Sequence, residues 1–431
     1  MNINILVLGF GVTGKSCVDF FNNQGITCKI FESKYNQDQS KIHVYNNNEF
    51  IIGEITKKNL HGIEQVIISP GFDSKHPVLK LIYELNIDVL TDIDLFKLQT
   101  KKTLISVTGT NGKTTVVEML SEVLRYHGVK ACSCGNNGTP PLDIINNNNE
   151  MIIFELSSYQ LEYMQNFQSD ISLILNISED HLERHGNMKN YLKIKKNIFK
   201  DTTHKVSNIR LKDDLQNINC SYFGLDNKNN CIINNSILDV LFSENQIKYN
   251  SIIIDYLGKH NLENILAVLT VTKILGLDLE KSLIALKHFN HLPHRMELIK
   301  NTNNVSWYND SKATNCDATL NALKCFNRGI ILIMGGYPKK QDYLKLASEI
   351  KKSVKTLILF GKNSNEIKNK LSLDIDTYLA KSLDETVLIA QKHSKDGDVI
   401  IFSPASPSFD YFRNFEHRGA VFKDTVLKIA N

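Results

Sequence analysis

Within the nine residues Val107–Thr115, VTGTNGKTT, the chain gathers two glycines, one lysine and four threonines. That set of residue types suits the binding of a nucleoside triphosphate. Gly109 and Gly112 let the backbone turn, so that N–H groups along Thr110, Asn111 and Thr115 approach phosphate oxygens. A helix starting at Lys113 adds partial positive charge. Lys113 can reach the terminal phosphates, and the Thr114 hydroxyl can ligate Mg²⁺. The strict spacing G-x-x-x-x-G-K-[ST] is not met, because its first glycine would fall at Val107. The plainer alternative is an ordinary Gly-containing turn between a strand and a helix.

Further along the chain, other polar residues follow apolar runs. Glu155 closes MIIFE, and a carboxylate at a strand end can hold the Mg²⁺ that bridges ATP phosphates; a surface or capping role is the alternative. In ISEDHLERHG, His181 can offer a neutral ring nitrogen to a metal, whereas Asp180 and Glu183 read equally well as acids of a first helical turn. YLKIKKNIF is basic and helix-like. Lys193, Lys196 and Lys200 suggest a solvated face, and spacing does not set Lys195 apart from them. YNDSKATN brings Asp310, Lys312 and Thr314 together, a set suited to anions or phosphates, though a polar loop explains it equally. In Ser403–Gly419, SPASPSFDYFRNFEHRG, Phe409, Phe412 and Phe415 could line a loop while Ser406 and Ser408 donate to a carboxylate. The alternative there is a helix N-cap with core aromatics.

Alternating strands and helices must position these residues. Ile3–Leu8 reads as a buried strand, Gly9-x-Gly11-x-x-Gly14 as a tight turn and Ser16 onward as a helix. Lys29–Ser33 is the next strand and ends in Glu32. The spacing is that of a dinucleotide-binding βαβ unit, without identifying the nucleotide. Val66–Gly71 is a further strand with a Pro-Gly turn. Leu104–Val107, Met151–Ser158 and Ile171–Ser178 predict a parallel sheet carrying its site at the strand carboxyl ends. After Val116, helical spacing puts Met119, Leu120, Val123 and Leu124 on one side. Residues 202–256 read as short strands and turns. After His291–Arg295, the runs Gly329–Gly336, Thr356–Gly361 and Asp398–Ala405 predict a third α/β lobe.

At 431 residues the chain has room for about three domains. A net charge of +4 is too mild to argue for nucleic acid. No apolar run reaches the roughly 18 residues of a membrane span, and Met1–Phe10 runs straight into a strand rather than a signal peptide. The eight cysteines are scattered, which predicts free thiols in a reducing cytoplasm.

TGTNGKTT, ELSSYQLE, NISEDHLERHG, GKHNLENILA, LPHRME, NDSKATN and SPASPSFDYFRNFEHRG occur in this order. Together they resemble the Mur ligase family, with the last two motifs resembling its D-glutamate-adding type. The similarity runs from the Gly9 turn to Gly419. It implies three consecutive α/β domains: a Rossmann-like UDP-binding domain over 1–91, a P-loop ATPase-like domain over 92–291 and a Rossmann-like domain over 292–431 that binds D-glutamate and closes. The activity implied is ATP-dependent addition of D-glutamate to UDP-N-acetylmuramoyl-L-alanine through an acyl phosphate, in peptidoglycan precursor synthesis. The chain would act in the cytoplasm as a monomer.

By the same resemblance, Gly109 to Thr115 hold ATP, with Lys113 on its phosphates and Thr114 on Mg²⁺. Glu155 and His181 match metal-site residues. Lys195 matches a lysine that is carbamylated in the family, which turns a cation into an anion able to ligate a second Mg²⁺. Asn261, Asn264, Arg295 and Asp310 match ATP-site residues, and His294 and Lys312 stand near the transferring phosphate. Asn136 and Ser157 match the muramoyl side; Val12, Thr13, Glu32, Ser33 and Gly71 match the uridine diphosphate side. Thr314, Lys339, Ser408 and Phe415 match the D-glutamate pocket. Relatives commonly carry Gly-Gly-x-Asp-Lys where this chain has Gly335-Gly336-Tyr337-Pro338-Lys339. Pro338 removes a backbone donor, and Lys340 competes with Lys339 for the same role. A sister ligase adding another amino acid, a nucleotide-dependent oxidoreductase prompted by Gly9-x-Gly11-x-x-Gly14, and a non-catalytic ATP-binding module are the competing classes.

Overall fold

The computed structural model describes residues 4–32, 45, 47–164, 167–239, 241–242, 246–290, 292–327 and 329–429. Ile3, Ser33 and His291 lie outside the described residues.

The first sheet is built from β1 (Ile5–Leu8), β2 (Cys28–Glu32), β3 (Glu49–Ile52), β4 (Gln65–Ile68) and β5 (Asp88–Leu90). All pair in parallel, in the order β3-β2-β1-β4-β5. Strands apolar on both faces suit a parallel sheet, because helices cover both sides. The order reverses between β1 and β4, and a doubly wound sheet opens a crevice at the carboxyl ends of its strands at that point. The turn after β1 runs into helix Val12–Asn22. A Cβ on Gly14 would stand 1.9 Å from the Gly9 carbonyl oxygen, so the turn closes only with glycine there.

The second sheet contains β6 (Thr103–Thr108), β7 (Ala131–Gly135), β8 (Met151–Glu155), β9 (Ile171–Ile174), β10 (His204–Asn208), β11 (Ser221–Leu225), β12 (Cys231–Ile233) and β13 (Ser236–Ile237). Its order is β13-β12-β11-β10-β9-β6-β8-β7, parallel except at the β12 and β13 edge. β9 stops at Ile174, short of the run expected to reach Ser178. Helix Lys113–Tyr126 follows β6 and buries Val116, Val117, Met119, Leu120, Val123 and Leu124. Each such side chain contributes roughly 1.5–3 kcal/mol by leaving water.

β14 (Leu241–Phe242), β15 (Gln246–Tyr249) and β16 (Ile252–Asp255) form a small antiparallel sheet. The last sheet holds β17 (Glu297–Thr302), β18 (Val305–Asn309), β19 (Ile330–Met334), β20 (Val354–Leu359), β21 (Asp376–Leu379) and β22 (Val399–Phe402), in the order β17-β18-β22-β19-β20-β21. Only its edge strand β17 runs antiparallel.

The chain gathers into two compact units. One comprises residues 1–177, 189–238 and 266–285; the other comprises 178–188, 239–265 and 286–431. The first two sheets therefore share a unit. Ile5, Val7 and Phe21 lie in the same buried cluster as Leu104, Phe154 and Ile174, and the Ser16 hydroxyl donates to Asp143 Oδ1 at 2.6 Å. All eight cysteines are free thiols. No helix among the described residues is long and apolar enough to cross a membrane.

Candidate active site

In the first unit, the loop between β6 and helix Lys113–Tyr126 is pinned from β9. Asn176 accepts from the Asn111 N–H at 2.9 Å and donates back to the Asn111 carbonyl at 3.0 Å, while its own carbonyl accepts from the Thr110 N–H at 3.0 Å. Lys113 Nζ folds over the loop, donating to the carbonyls of Gly109 at 2.8 Å and Thr110 at 2.9 Å. Thr114 and Thr115 stand in the first turn of the helix.

Lys195 departs from the solvated-face reading of its segment. Its side chain is only 1% exposed, whereas Lys193 and Lys200 are exposed. Helix Met188–Lys196 turns Lys195 inward beside buried Tyr191. Its Nζ donates to Thr108 Oγ1 at 3.1 Å and to the Gly109 carbonyl at 3.0 Å, and lies 5.0 Å from the centre of the Tyr191 ring. The Thr108 hydroxyl donates to the Leu156 carbonyl at 2.7 Å, so its lone pairs face Lys195. Glu155 is buried at the end of β8: Oε1 accepts from Asn136 Nδ2 at 2.7 Å, while Oε2 is buried and has no hydrogen-bond partner. An orphaned buried carboxylate oxygen costs folding free energy, and a cation at that oxygen would offset the cost. No cluster of three His, Cys, Asp or Glu side chains among the described residues forms a protein-only metal cage. Mg²⁺ is commonly held by one or two carboxylates together with substrate phosphates.

The same unit carries a cleft of about 540 Å³ at the switch point between β1 and β4. Gly9 to Thr13, Glu32, Ser69 to Asp73, His76, Gly135, Asn136, Ser157 and Gln160 line it. Val12, Thr13, Glu32, Gly71, Asn136 and Ser157 are thus brought to one cleft. Glu32 Oε2 accepts from the Phe10 N–H at 3.0 Å. The Ser157 hydroxyl is engaged in a capping box with Gln160.

In the second unit, His294, Asp310, Lys312 and Phe415 form one cluster. His294 takes a left-handed backbone with φ 62°. Asn309 Nδ2 donates to His294 Nδ1 at 2.9 Å and to the Gly419 carbonyl at 3.1 Å, which leaves the imidazole proton on Nε2. Burial holds the His294 imidazole below its ordinary value, although Glu297 opposes this. A Cβ on Gly419 would meet His294 Nδ1 at 2.3 Å, so the ring needs glycine beside it. Burial pushes the Asp310 carboxyl up to about 7, against hydrogen bonds from Ser403 at 2.8 Å and the Met296 N–H at 3.2 Å, and against the charges of Arg295 and Arg418. Lys312 Nζ sits 3.7 Å from the centre of the Phe415 ring, a cation–π contact.

Lys339 forms an ion pair with Asp180, both largely buried, while Lys340 is exposed. His181 also has a left-handed backbone, with φ 54°, and its ring lies 3.6 Å from carboxylate oxygens of both Asp180 and Glu183. Asn261 donates to the Leu257 carbonyl at 2.9 Å, and Asn264 donates to Asn261 Oδ1 at 3.3 Å. Ser408 is buried, and Thr314 is half-buried. Phe409 is 67% exposed and lines no core; it sits in a turn before helix Phe415–Ile429. Ser406 is engaged within the protein, accepting from Asn363 Nδ2 at 2.8 Å beside Tyr343.

Family models match three successive segments: "Mur ligase MurD-like, N-terminal domain" over residues 3–91, "Mur ligase middle domain" over 107–272 and "Mur ligase, glutamate ligase domain" over 294–406. The UDP-N-acetylmuramoylalanine–D-glutamate ligase of Buchnera aphidicola subsp. Schizaphis graminum is 36% identical over 430 residues, covering 97% of this chain and 96% of that protein. The chain belongs to the Mur ligase family. The protein of the same name from Clostridioides difficile is 32% identical, covering 98% of each chain. The Mur ligase fold extends further: MurF from Thermotoga maritima in complex with ADP superposes with a TM-score of 0.64 at 16% identity, over 93% of this chain and 95% of that one. A pseudomurein peptide ligase type C from Methanothermus fervidus gives 0.63 at 18%, over 99% of this chain and 100% of that one.

In this Mur ligase, the residues that sequence reading left without a role are largely the supports. Asn176 pins the phosphate loop, Thr108 and Tyr191 hold Lys195, and Asn309 orients His294. Arg418 is fully buried and donates to Ser311 Oγ at 3.0 Å and to the carbonyls of Ser311, Ser406 and Pro407 at 2.8, 2.9 and 3.1 Å. Burial lowers its guanidinium to about 9. Its motif EHRG was visible, but nothing in a linear sequence marks an arginine as interior.

Proposed function

We propose that this chain is an ATP-dependent amide ligase that joins D-glutamate to UDP-N-acetylmuramoyl-L-alanine, releasing ADP and phosphate, in cytoplasmic peptidoglycan precursor synthesis. What carries this reading is near-full-length identity of 31–36% to proteins named for that reaction. The family division into a UDP-binding part over 1–91, a P-loop part over 92–291 and a glutamate part over 292–431 goes with it, as does action as a monomer.

In this reading the L-alanine carboxylate attacks the γ-phosphorus of ATP, forming an acyl phosphate and ADP. The D-glutamate amine attacks the acyl carbon, loses a proton, and the tetrahedral intermediate expels phosphate. Bringing two anions together needs charge neutralisation in a dry site. Lys113 supplies it on the ATP phosphates, with Gly109 to Thr115 as donors. Thr114, Glu155, His181 and a carbamylated Lys195 would hold two Mg²⁺ ions, which neutralise phosphate charge when bound. The orphaned Glu155 oxygen supports this set. A carbamate on Lys195 retains one N–H, for which Thr108 and Gly109 offer acceptors. Asn261, Asn264, Arg295 and Asp310 bind ATP, and His294 and Lys312 meet the transferring phosphate. The neutral His294, with its proton on Nε2, suits donation there. Thr314, Lys339, Ser408 and Phe415 take D-glutamate. Asn136 and Ser157 face the muramoyl part; Val12, Thr13, Glu32, Ser33 and Gly71 face uridine diphosphate.

The test is phosphate release with ATP, UDP-N-acetylmuramoyl-L-alanine and a panel of amino acids. Release is expected with D-glutamate alone. Release with L-glutamate, lysine or diaminopimelate in its place would reject the assignment in favour of a sister ligase.

A further inference from the structure

Sixteen of the described residues line the cleft at the β1/β4 switch point, and none of these is lysine or arginine. Its charged side chains are Glu32 and Asp73, both acidic. The donors that the lining residues offer to a diphosphate are neutral ones. Several polar side chains there are already engaged within the protein. The Ser69 hydroxyl donates to the Gly9 carbonyl at 3.1 Å, and the Ser157 hydroxyl donates to Gln160 Oε1 at 2.9 Å. Asn136 uses an amide hydrogen on Glu155.

His76 is placed differently. It is the N-cap of helix Pro77–Glu84, and its Nδ1 accepts from the Val78 N–H at 3.2 Å. An accepting Nδ1 puts the ring proton on Nε2. The ring is held by Phe31 and Phe72, whose centres lie 5.5 and 5.2 Å away. Pro77 at the first helical position sets the backbone that follows. The imidazole is thus a donor of fixed tautomer and fixed plane on the cleft wall. It follows the loop Ser69–Asp73 from β4, opposite the turn from β1.

We infer that His76 is a specificity-determining residue that donates its Nε2–H to a diphosphate oxygen of the nucleotide substrate. The inference rests on the reading of this cleft as the uridine diphosphate site. A neutral imidazole fits a cleft already bearing two carboxylates, because it needs no counter-charge and keeps its hydrogen-bond direction.

The experiment compares wild type with His76→Asn and His76→Ala in the full chain, by calorimetric titration with UDP and, separately, with uridine. Asparagine is a good N-cap, so His76→Asn keeps the helix start while removing the donor at the ring's far edge. A hydrogen bond to a charged acceptor corresponds to roughly a tenfold to hundredfold change in affinity. The expected result is UDP binding weakened by about that factor in both variants, with uridine affinity unchanged and with the thermal midpoint of His76→Asn at the wild-type value. Equal weakening toward UDP and uridine would place the contact on the nucleoside and overturn the inference. Undiminished UDP binding by His76→Asn would overturn it too, leaving His76 as a cap. If wild type binds neither ligand, the reading of the cleft falls, and His76 with it.

Discussion

Lys195 is where a single side chain changes the chemistry. A lysine 1% exposed is rare unless paired, and the groups that meet this one include the Thr108 hydroxyl, the Gly109 carbonyl and the Tyr191 ring. The proposed carbamate would turn this buried amine into a group that can serve a cation. Replacing Lys195 by alanine should lower ligase turnover at least a hundredfold, with partial recovery on adding short carboxylic acids such as acetate. Wild type incubated with ¹³C-labelled CO₂ should give a carbamate carbon signal that the variant lacks. A fully active Lys195→Ala would exclude the carbamate. Why Lys195 rather than Lys193 or Lys196 is interior was not legible, since three lysines within four residues differ only in the face each takes once the helix is packed.

At the level of elements, the helix Asp92–Leu98 begins with a buried capping box in which Thr91 and Asp94 satisfy each other. Asp92 beside them is 1% exposed, and its Oδ1 has no hydrogen-bond partner. Burial, chiefly, raises its carboxyl from 3.8 to about 7, with Asp94 and Asp143 adding to the shift. Because the folded value lies above the unfolded one, the protonated acid is the stabilising form. Its contribution is complete below pH 3.8 and is lost as pH rises to about 7. Asp92→Asn removes this titration. Its unfolding free energy relative to wild type should shift in the variant's favour by roughly 2–4 kcal/mol between pH 4 and pH 8. Urea unfolding at both pH values measures it; a pH-independent difference would show that Asp92 is not buried as an acid. The capping signal Thr91-x-x-Asp94 is readable in the sequence, but the burial of Asp92 is not.

For the whole molecule, the division into two compact units separates ligand responses. The cleft proposed for uridine diphosphate is lined, among the described residues, by the first unit alone. UDP should therefore slow amide hydrogen exchange in Gly9–Thr13 and Ser69–His76 by about tenfold or more at saturating concentration, without changing exchange in Gly335–Lys339 or Ser403–Ser408. Equal protection in both sets would contradict a UDP site confined to that cleft. Conversely, the Lys339–Asp180 pair and the Arg418-held loop belong to the second unit, and D-glutamate should act there.

Much was determined by sequence alone. Apolar runs ending in glycine or polar residues mark parallel strands, because a strand covered on both faces must be apolar throughout. Helical spacing placed Met119, Leu120, Val123 and Leu124 on one face, and all four are buried. Motif order identified the family. The tertiary structure decided what spacing cannot express: that Lys195 is interior while Lys193 and Lys200 are exposed, that Lys339 rather than Lys340 turns inward, and that Phe409 faces solvent. It also revealed the supports, Asn176, Thr108, Asn309 and Arg418, and the place of His76 on the cleft wall. Each depends on which residues from distant segments arrive at one place, and neither local propensity nor periodicity carries that information.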